Sequence, residues 1–212
     1  MKKIFRTLSF FMLFITFLLP IKVFAMNTNI PLTNSIVNLK MAEQKLWIDH
    51  VGWTHSFIVS DLASLPDKDA TLQRLLKNQD DIGASIKPYY GEEAGNKLSK
   101  LLREHIGIGG QVVDAAKSNN KADLDKYNKL WYKNADDIAD FLSGANSNLS
   151  NSELKDMLHK HLDFVTAQVV ARINKDWKAD VDNYDKGETH MIKFADMISN
   201  GIVKQFPENL AL

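Results

Sequence analysis

Apolar residues recur at steps of three and four positions through nearly the whole chain, and the apolar–polar alternation of a β-strand is absent. Steps of three and four place apolar side chains on one face of an α-helix. Proline and glycine are scarce within these stretches and cluster between them. The pattern therefore predicts an all-α protein, an up-and-down bundle of about six helices.

Helix boundaries follow from prolines, turn residues and capping residues. Pro66 and Pro88 are expected to end the first two helices, and the string GANSNLSNSEL at 144–154 is the clearest loop. Ser150 or Ser152 is expected to cap the helix after this loop. The predicted helices cover residues 34–65, about 68–88, 92–118, 122–143, 153–174 and 178–205.

Part of the chain repeats at an offset of 56 residues. KNQDDI at 77–82 returns as KNADDI at 133–138, and LLREHI at 101–106 aligns with MLHKHL at 157–162. A third pair, ADFLS and ADMIS, has the same offset. Chance similarity of amphipathic helices is the alternative, but three matches at one offset favour a duplicated helical hairpin.

One polar residue lies near the middle of each predicted helix, mostly on the apolar face. These residues follow one another at intervals of 28, 27, 29, 27 and 29 positions, and they are His50, Asn78, His105, Asn134, His161 and His190. In an up-and-down bundle with short connections, helix midpoints lie at one height. We therefore expect a buried polar layer halfway along the bundle.

Two carboxylates are expected to join this layer. Asp81 and Asp137 each follow an asparagine of the layer by three positions, which places them on the same helical face. His55 and His159 lie on other faces and are expected to be exposed.

The layer has two chemical interpretations. Buried polar groups must be hydrogen-bonded, neutralised or bound to a metal, so the layer forms either a structural hydrogen-bond network or a site for Fe, Mn or Zn. The candidate metal ligands are His50, Asp81, His105, Asp137, His161 and His190. The Glu-x-x-His signature of di-iron bundles is absent, which favours the structural network.

Other chemistry has weaker support. A Gly-rich phosphate loop after a strand is absent, since the string GIGG at 107–110 lies inside a predicted helix and indicates close packing or a kink. Trp47, Trp53 and Trp131 are expected in the core or in the wall of a pocket for an aromatic or polyol ligand.

The first 25 residues have the organisation of a secretory signal peptide. Lys2, Lys3 and Arg6 precede an almost unbroken apolar run at 8–20, and Val23-Phe24-Ala25 resembles a cleavage site. We expect cleavage after Ala25, which leaves one domain at 26–212, secreted or held in the cell envelope without a membrane span. The alternative is an uncleaved anchor, for which the apolar run is short.

Composition narrows the function further. The signal peptide holds 4 of the 26 basic residues and no acidic residue, so the remainder has 22 basic and 26 acidic residues and a net charge of −4. This balance argues against a nucleic-acid partner. Cysteine is absent, which excludes thiol catalysis, iron–sulfur clusters and disulfides.

Five strings, spread over nearly the whole chain after the signal peptide, are specific enough to compare with known families: LWIDHVGWTHSFIVSDL, NQDDIG, PYYG, NADDIADFL and GIVKQFP. They resemble those of a family of uncharacterised bacterial all-helical secreted proteins. The resemblance implies an all-helical exported protein. Some similar sequences bear the label glycosyltransferase, but this chain lacks the strand–helix alternation of a nucleotide-sugar domain.

Together these observations predict a non-enzymatic binding or scaffold protein of the cell exterior. Its partner is a small ligand or a metal ion, or a protein that the sequence does not identify. A metal-dependent enzyme that uses the mid-bundle layer, with water as the open ligand, is the alternative.

Overall fold

The computed structural model describes residues 31–211. This part of the chain folds into six α-helices and a final 3-10 helix at Pro207–Leu210, which confirms the predicted all-α bundle. The helices in chain order are α1 (Asn34–Leu62), α2 (Lys68–Ser85), α3 (Lys87–Lys117), α4 (Lys121–Ala145), α5 (Asn151–Ile173) and α6 (Trp177–Gln205).

Side-chain caps explain where four of the helices begin. Thr33 accepts a hydrogen bond from the Ile36 N–H, and Ser150 accepts one from the Glu153 N–H, as expected for the helix after the long loop. Asn120 and Asp176 cap α4 and α6 in the same way. Each cap satisfies one of the backbone donors that a helix start leaves free.

The junction of α2 and α3 differs from the prediction. Helix α2 ends at Ser85, before Pro88, and α3 already begins at Lys87 because proline is tolerated in a first helical turn. Gly91 interrupts α3 with a φ of 84°, a conformation that glycine adopts without strain. Gly83 on α2 and Gly95 on α3 face each other. A Cβ added to either glycine would lie 2.5 Å from the carbonyl oxygen of the other, so both must be glycine for the two helices to pack this closely.

The six helices alternate around a common centre. Helices α1, α3 and α5 contact one another, while α2 lies between α1 and α3, α4 between α3 and α5, and α6 between α5 and α1. The fold thus consists of three helical hairpins, α1–α2, α3–α4 and α5–α6, each with one helix at the centre. A polar side chain on an inner helix can therefore reach the other two inner helices.

The three hairpins turn in the same way. Ser64, Asn119 and Lys175 follow the ends of α1, α3 and α5 with φ of 52°, 53° and 56°. In each turn the next N–H bonds to a carbonyl five residues earlier, as Leu65 does to Ser60 at 2.8 Å. This is the Schellman arrangement, which satisfies helix-terminal carbonyls. The turns recur at intervals of 55 and 56 residues.

Core positions recur at the same intervals. Trp47, Leu102 and Leu158 occupy equivalent positions on the inner helices, and each is at most 3% exposed. The outer helices bury Ile82, Ile138 and Phe194 in the same manner. The structural repeat therefore includes all three hairpins, and their origin by duplication stays a prediction.

The predicted signal peptide at 1–25 lies outside the described residues. Within residues 31–211, no helix is both long enough and apolar enough to cross a membrane.

Candidate functional site

Five of the six predicted mid-helix residues lie in the core. They are at most 6% exposed, and they are His50, Asn78, His105, Asn134 and His161. The sixth, His190, is half-buried on α6. The spacing of apolar residues therefore predicted burial correctly for five of the six residues.

One hydrogen bond of the layer is repeated in every hairpin. Asn78 donates from Nδ2 to the carbonyl of Leu46 at 3.0 Å, and Asn134 donates to the carbonyl of Leu101 at 3.2 Å. In the third hairpin His190 has the equivalent role and donates from Nε2 to the carbonyl of Met157 at 2.8 Å. Each acceptor lies four residues before the histidine of its inner helix. A polar side chain of each outer helix thus ties that helix to its inner partner.

The three inner helices each bring one histidine to the centre of the bundle. His50 Nε2 and His161 Nε2 are 3.3 Å apart, and the His105 ring centroid lies 6.4 Å from that of His161. Among the described residues, these three rings form hydrogen bonds with one another and with the amide of Asn134, and none with a carboxylate. We call these three residues the central histidines.

The tautomer of His105 follows from its partner. Asn134 uses Nδ2 to donate to Leu101, so its Oδ1 accepts the 2.7 Å hydrogen bond from His105 Nδ1. The proton of neutral His105 therefore lies on Nδ1, and Nε2 carries the lone pair.

Burial keeps the central histidines uncharged at neutral pH. Loss of water lowers the pKa of His50 to about 3, with a further contribution from His105 nearby. Burial also lowers the pKa of His105 to about 4, although its bond to Asn134 opposes the shift. The pKa of His161 falls well below its usual value, first through burial and then through the neighbouring imidazoles. Three neutral rings therefore meet in the buried interior of the bundle.

Gln79 extends this network and was not predicted. It is fully buried, and its Nε2 donates to Asn78 Oδ1 at 3.0 Å and to the carbonyl of Leu75 at 2.7 Å. Its amide also acts on His50 and raises that histidine's pKa slightly against the larger effect of burial. Gln79 is the one position at which KNQDDI and KNADDI differ, so the sequence did contain a signal for it.

Some polar atoms of this network have no hydrogen-bond partner among the residues described. They are His50 Nδ1, His161 Nδ1 and Gln79 Oε1. The side chain of Gln79 nevertheless acts on His50 as a hydrogen-bond partner, which leaves His161 Nδ1 as the atom of this network without a polar neighbour among the residues described. A buried, unsatisfied polar atom costs about 1–3 kcal/mol.

The prediction for the two aspartates is wrong. The side chains of Asp81 and Asp137 are 35% and 42% exposed, and they pair with Lys77 and Lys133 one turn earlier on their own helices. A residue three positions after a buried one lies at the edge of the buried face, where a lysine can hold it at the surface. Neither carboxylate reaches the central histidines.

The predicted metal ligands are therefore not brought together. His190 is bound to a backbone carbonyl, and both aspartates are at the surface. In the part of the chain that the structure covers, no three His, Asp or Glu side chains lie where they could share a metal ion. Any metal at the centre would depend on His50 and His161.

The two remaining histidines have carboxylate partners that the sequence did not indicate. His159 is 39% exposed, as expected, and contacts Asp136 at 2.9 Å. His55 is only 25% exposed and lies 3.2 Å from both oxygens of Asp180, which is 125 residues away in the chain and 3% exposed. Spacing within one helix carries no information about such a partner.

Comparisons of the chain with protein-family models, with curated proteins and with solved structures find no match.

Proposed function

We propose that this chain is an exported, non-enzymatic binding or scaffold protein whose central histidines hold three helical hairpins in register. The observation that supports this role is the meeting of one buried histidine from each inner helix, with His50 Nε2 3.3 Å from His161 Nε2 and His105 bonded to Asn134 on its outer helix. A buried polar pair tolerates only one register, because any slip leaves its members unpaired.

Export is part of this proposal. The basic start, apolar run and cleavage-site pattern of residues 1–25 support it. A chain without cysteine does not depend on oxidative folding after export, so a large apolar core must supply its stability. The buried layers of all three hairpins meet that requirement.

Binding of a metal ion at the centre, in a scaffold or in a metal-dependent enzyme, is the second candidate. One observation favours it. Two nitrogens bound to a tetrahedral Zn²⁺ at about 2.0–2.1 Å lie roughly 3.3 Å apart, and His50 Nε2 and His161 Nε2 have this separation. Two protein ligands are fewer than the three of catalytic zinc sites, which is why we place this candidate second.

Elemental mass spectrometry of the purified protein, after growth with Fe, Mn, Zn and Cu, distinguishes the candidates. The structural role predicts less than about a tenth of an equivalent of any metal. Close to one equivalent, lost in His161→Leu but retained in His159→Leu, would overturn it in favour of the metal site.

A further inference from the structure

A groove on the outer side of α1 has the composition of a binding site. Its volume is about 390 Å³, and its lining includes Asp49, Gly52, Trp53, His55 and Ser56 from α1 and Tyr184 from α6. Sites for small ligands have volumes of about 300–1,000 Å³. The groove is separate from the central layer, since none of the central histidines lines it.

His55 is held in this groove by a built arrangement. Asp180 is buried and pairs with Arg172 at 2.7 Å as well as with His55 Nε2. The carboxylate accepts from Nε2–H, so Nδ1 is the ring nitrogen left for a ligand. The ring of Tyr184 packs edge-on against His55 with the centroids 5.1 Å apart. The orientation of His55 is thus fixed before any ligand arrives.

Aromatic and polar groups alternate along the lining. Trp53 is fixed from one side by Arg74, whose guanidinium lies 5.1 Å from the ring centroid, and Tyr184 forms the wall from α6. The lining also includes the Asp49 carboxylate and the Ser56 hydroxyl, which donates to the Gly52 carbonyl at 2.9 Å and keeps its oxygen free to accept. Such a lining suits a molecule with apolar faces and hydroxyl edges.

Two carboxylates at the groove, those of Asp49 and Asp180, are paired with basic side chains, while Glu188 accepts a hydrogen bond from the Tyr184 hydroxyl at 3.2 Å. Asp49 pairs with Lys45 at 2.6 Å and lies 3.8 Å from Arg74. Asp180 is matched by Arg172. An ionic ligand would have to break one of these pairs, whereas an uncharged ligand can bond to Asp49 and His55 as they stand. Charge matching therefore favours a neutral ligand.

We propose that this groove binds an uncharged carbohydrate, with sugar C–H faces against Trp53 and Tyr184 and hydroxyls on Asp49 and His55. The proposal names the ligand class of the binding role proposed above and rests on it. The metal analysis tests the central layer and the titration below tests the groove, so each can fail alone.

The test is a titration of the purified protein followed by NMR, observing the Trp53 indole N–H and the ring of His55. The probes are glucose, N-acetylglucosamine, cellotriose and chitotriose, with inorganic phosphate and choline as charged comparisons. We expect saturable shifts with at least one sugar and a Kd on the order of 1 mM. Insoluble cellulose and chitin, used in pull-down assays, distinguish a polysaccharide source from a free sugar.

Two glycines provide a matched pair of variants. Gly52 lines the groove, and Gly107 occupies the equivalent position 55 residues later on α3, where an added Cβ would meet nothing within 4 Å. Gly52→Met fills the groove and should weaken binding at least about tenfold, whereas Gly107→Met should leave it unchanged. If Gly52→Met fails to fold, His55→Gln tests the groove instead, because it removes the imidazole proposed to bind a sugar hydroxyl.

Three outcomes would overturn the proposal. These are the absence of saturable shifts with every sugar, equal binding by the wild type and the groove variants, and tighter binding of phosphate or choline than of any sugar.

Discussion

The central histidines and His55 show how two parts of one bundle use the same side chain differently. At the centre, three imidazoles are surrounded by apolar residues and amides, and burial keeps them neutral. At the groove, the side chain of His55 is 25% exposed and pairs with the buried carboxylate of Asp180. Depth and partner, more than residue type, therefore decide whether a histidine of this fold is enclosed and neutral or lies at a groove beside a carboxylate.

The difference also follows from position in the hairpins. Inner helices contact one another, so a side chain that points to the centre is enclosed by the other inner helices and by the outer helix of its own hairpin, as His105 is by Asn134. The opposite side of α1 faces the outer helix α6, whose Asp180 and Tyr184 complete the groove. The same helix thus contributes to a closed layer on one face and to an open site on the other.

Acidification should have the largest effect, because it acts on all three central histidines together. Their pKa values are lowered in the folded state, so the unfolded chain binds more protons below about pH 6.5. Their contribution to stability is therefore complete above that pH and is lost as the pH falls. From pH 7 to pH 5 we expect the free energy of unfolding to decrease by about 2 kcal/mol for each ring, about 6 kcal/mol at most.

Urea unfolding at pH 7, 6 and 5 measures this loss. Glu43 acts in the opposite direction, since burial raises its pKa and its protonation on acidification relieves an unfavourable buried charge. Glu43→Gln should therefore steepen the loss. Equal stability at pH 7 and pH 5 in both proteins would contradict neutral, buried imidazoles.

Removal of the carboxylate at the groove should have the next largest effect. Asp180→Asn leaves the partly buried Arg172 without its ion pair, and we expect a loss of about 3 kcal/mol in urea unfolding. Asp182→Asn, on the same helix but 46% exposed, is the matched control and should leave the free energy of unfolding nearly unchanged, because an exposed ion pair contributes little. Similar small losses in both variants would show that Asp180 does not hold Arg172 and His55.

A double-mutant cycle on His50 and His161 sharpens the account of the centre. Each single change to Leu deprives the other ring of its 3.3 Å partner and should cost about 1–3 kcal/mol. The double variant should lose less than the sum of the singles, with a coupling of about 1 kcal/mol. Additive losses, measured by urea unfolding, would mean that the two rings do not pair.

Much of the fold was predictable because it depends on local patterns. The spacing of apolar residues predicted the six helices, and the apolar neighbours of His50, His105 and His161 on their helical faces predicted that these histidines are buried. The partners were harder to predict. Asp180 contacts His55 although the two residues are 125 positions apart in the chain. Asp81 lies at the edge of the buried face of its helix, where an ion pair with Lys77 keeps its carboxylate at the surface. Spacing places a residue on a face of a helix, while packing between helices chooses its contacts.

The smallest effect is expected for the carboxylates of the repeated strings. Asp81→Asn and Asp137→Asn remove only surface pairs with lysines, so each should change the free energy of unfolding by less than about 0.5 kcal/mol. A loss above about 2 kcal/mol in urea unfolding would instead place these carboxylates in the central layer.

The charge state of the central histidines in the folded protein is the most direct test of this account. Long-range ¹H–¹⁵N correlation spectra at pH 7 and pH 6 report the protonation of each ring nitrogen. An unperturbed histidine is roughly three-quarters protonated at pH 6. We predict neutral rings for His50, His105 and His161 at both values, with the proton of His105 on Nδ1. An imidazolium signal from any of these three rings in the folded protein at pH 6 would contradict the account.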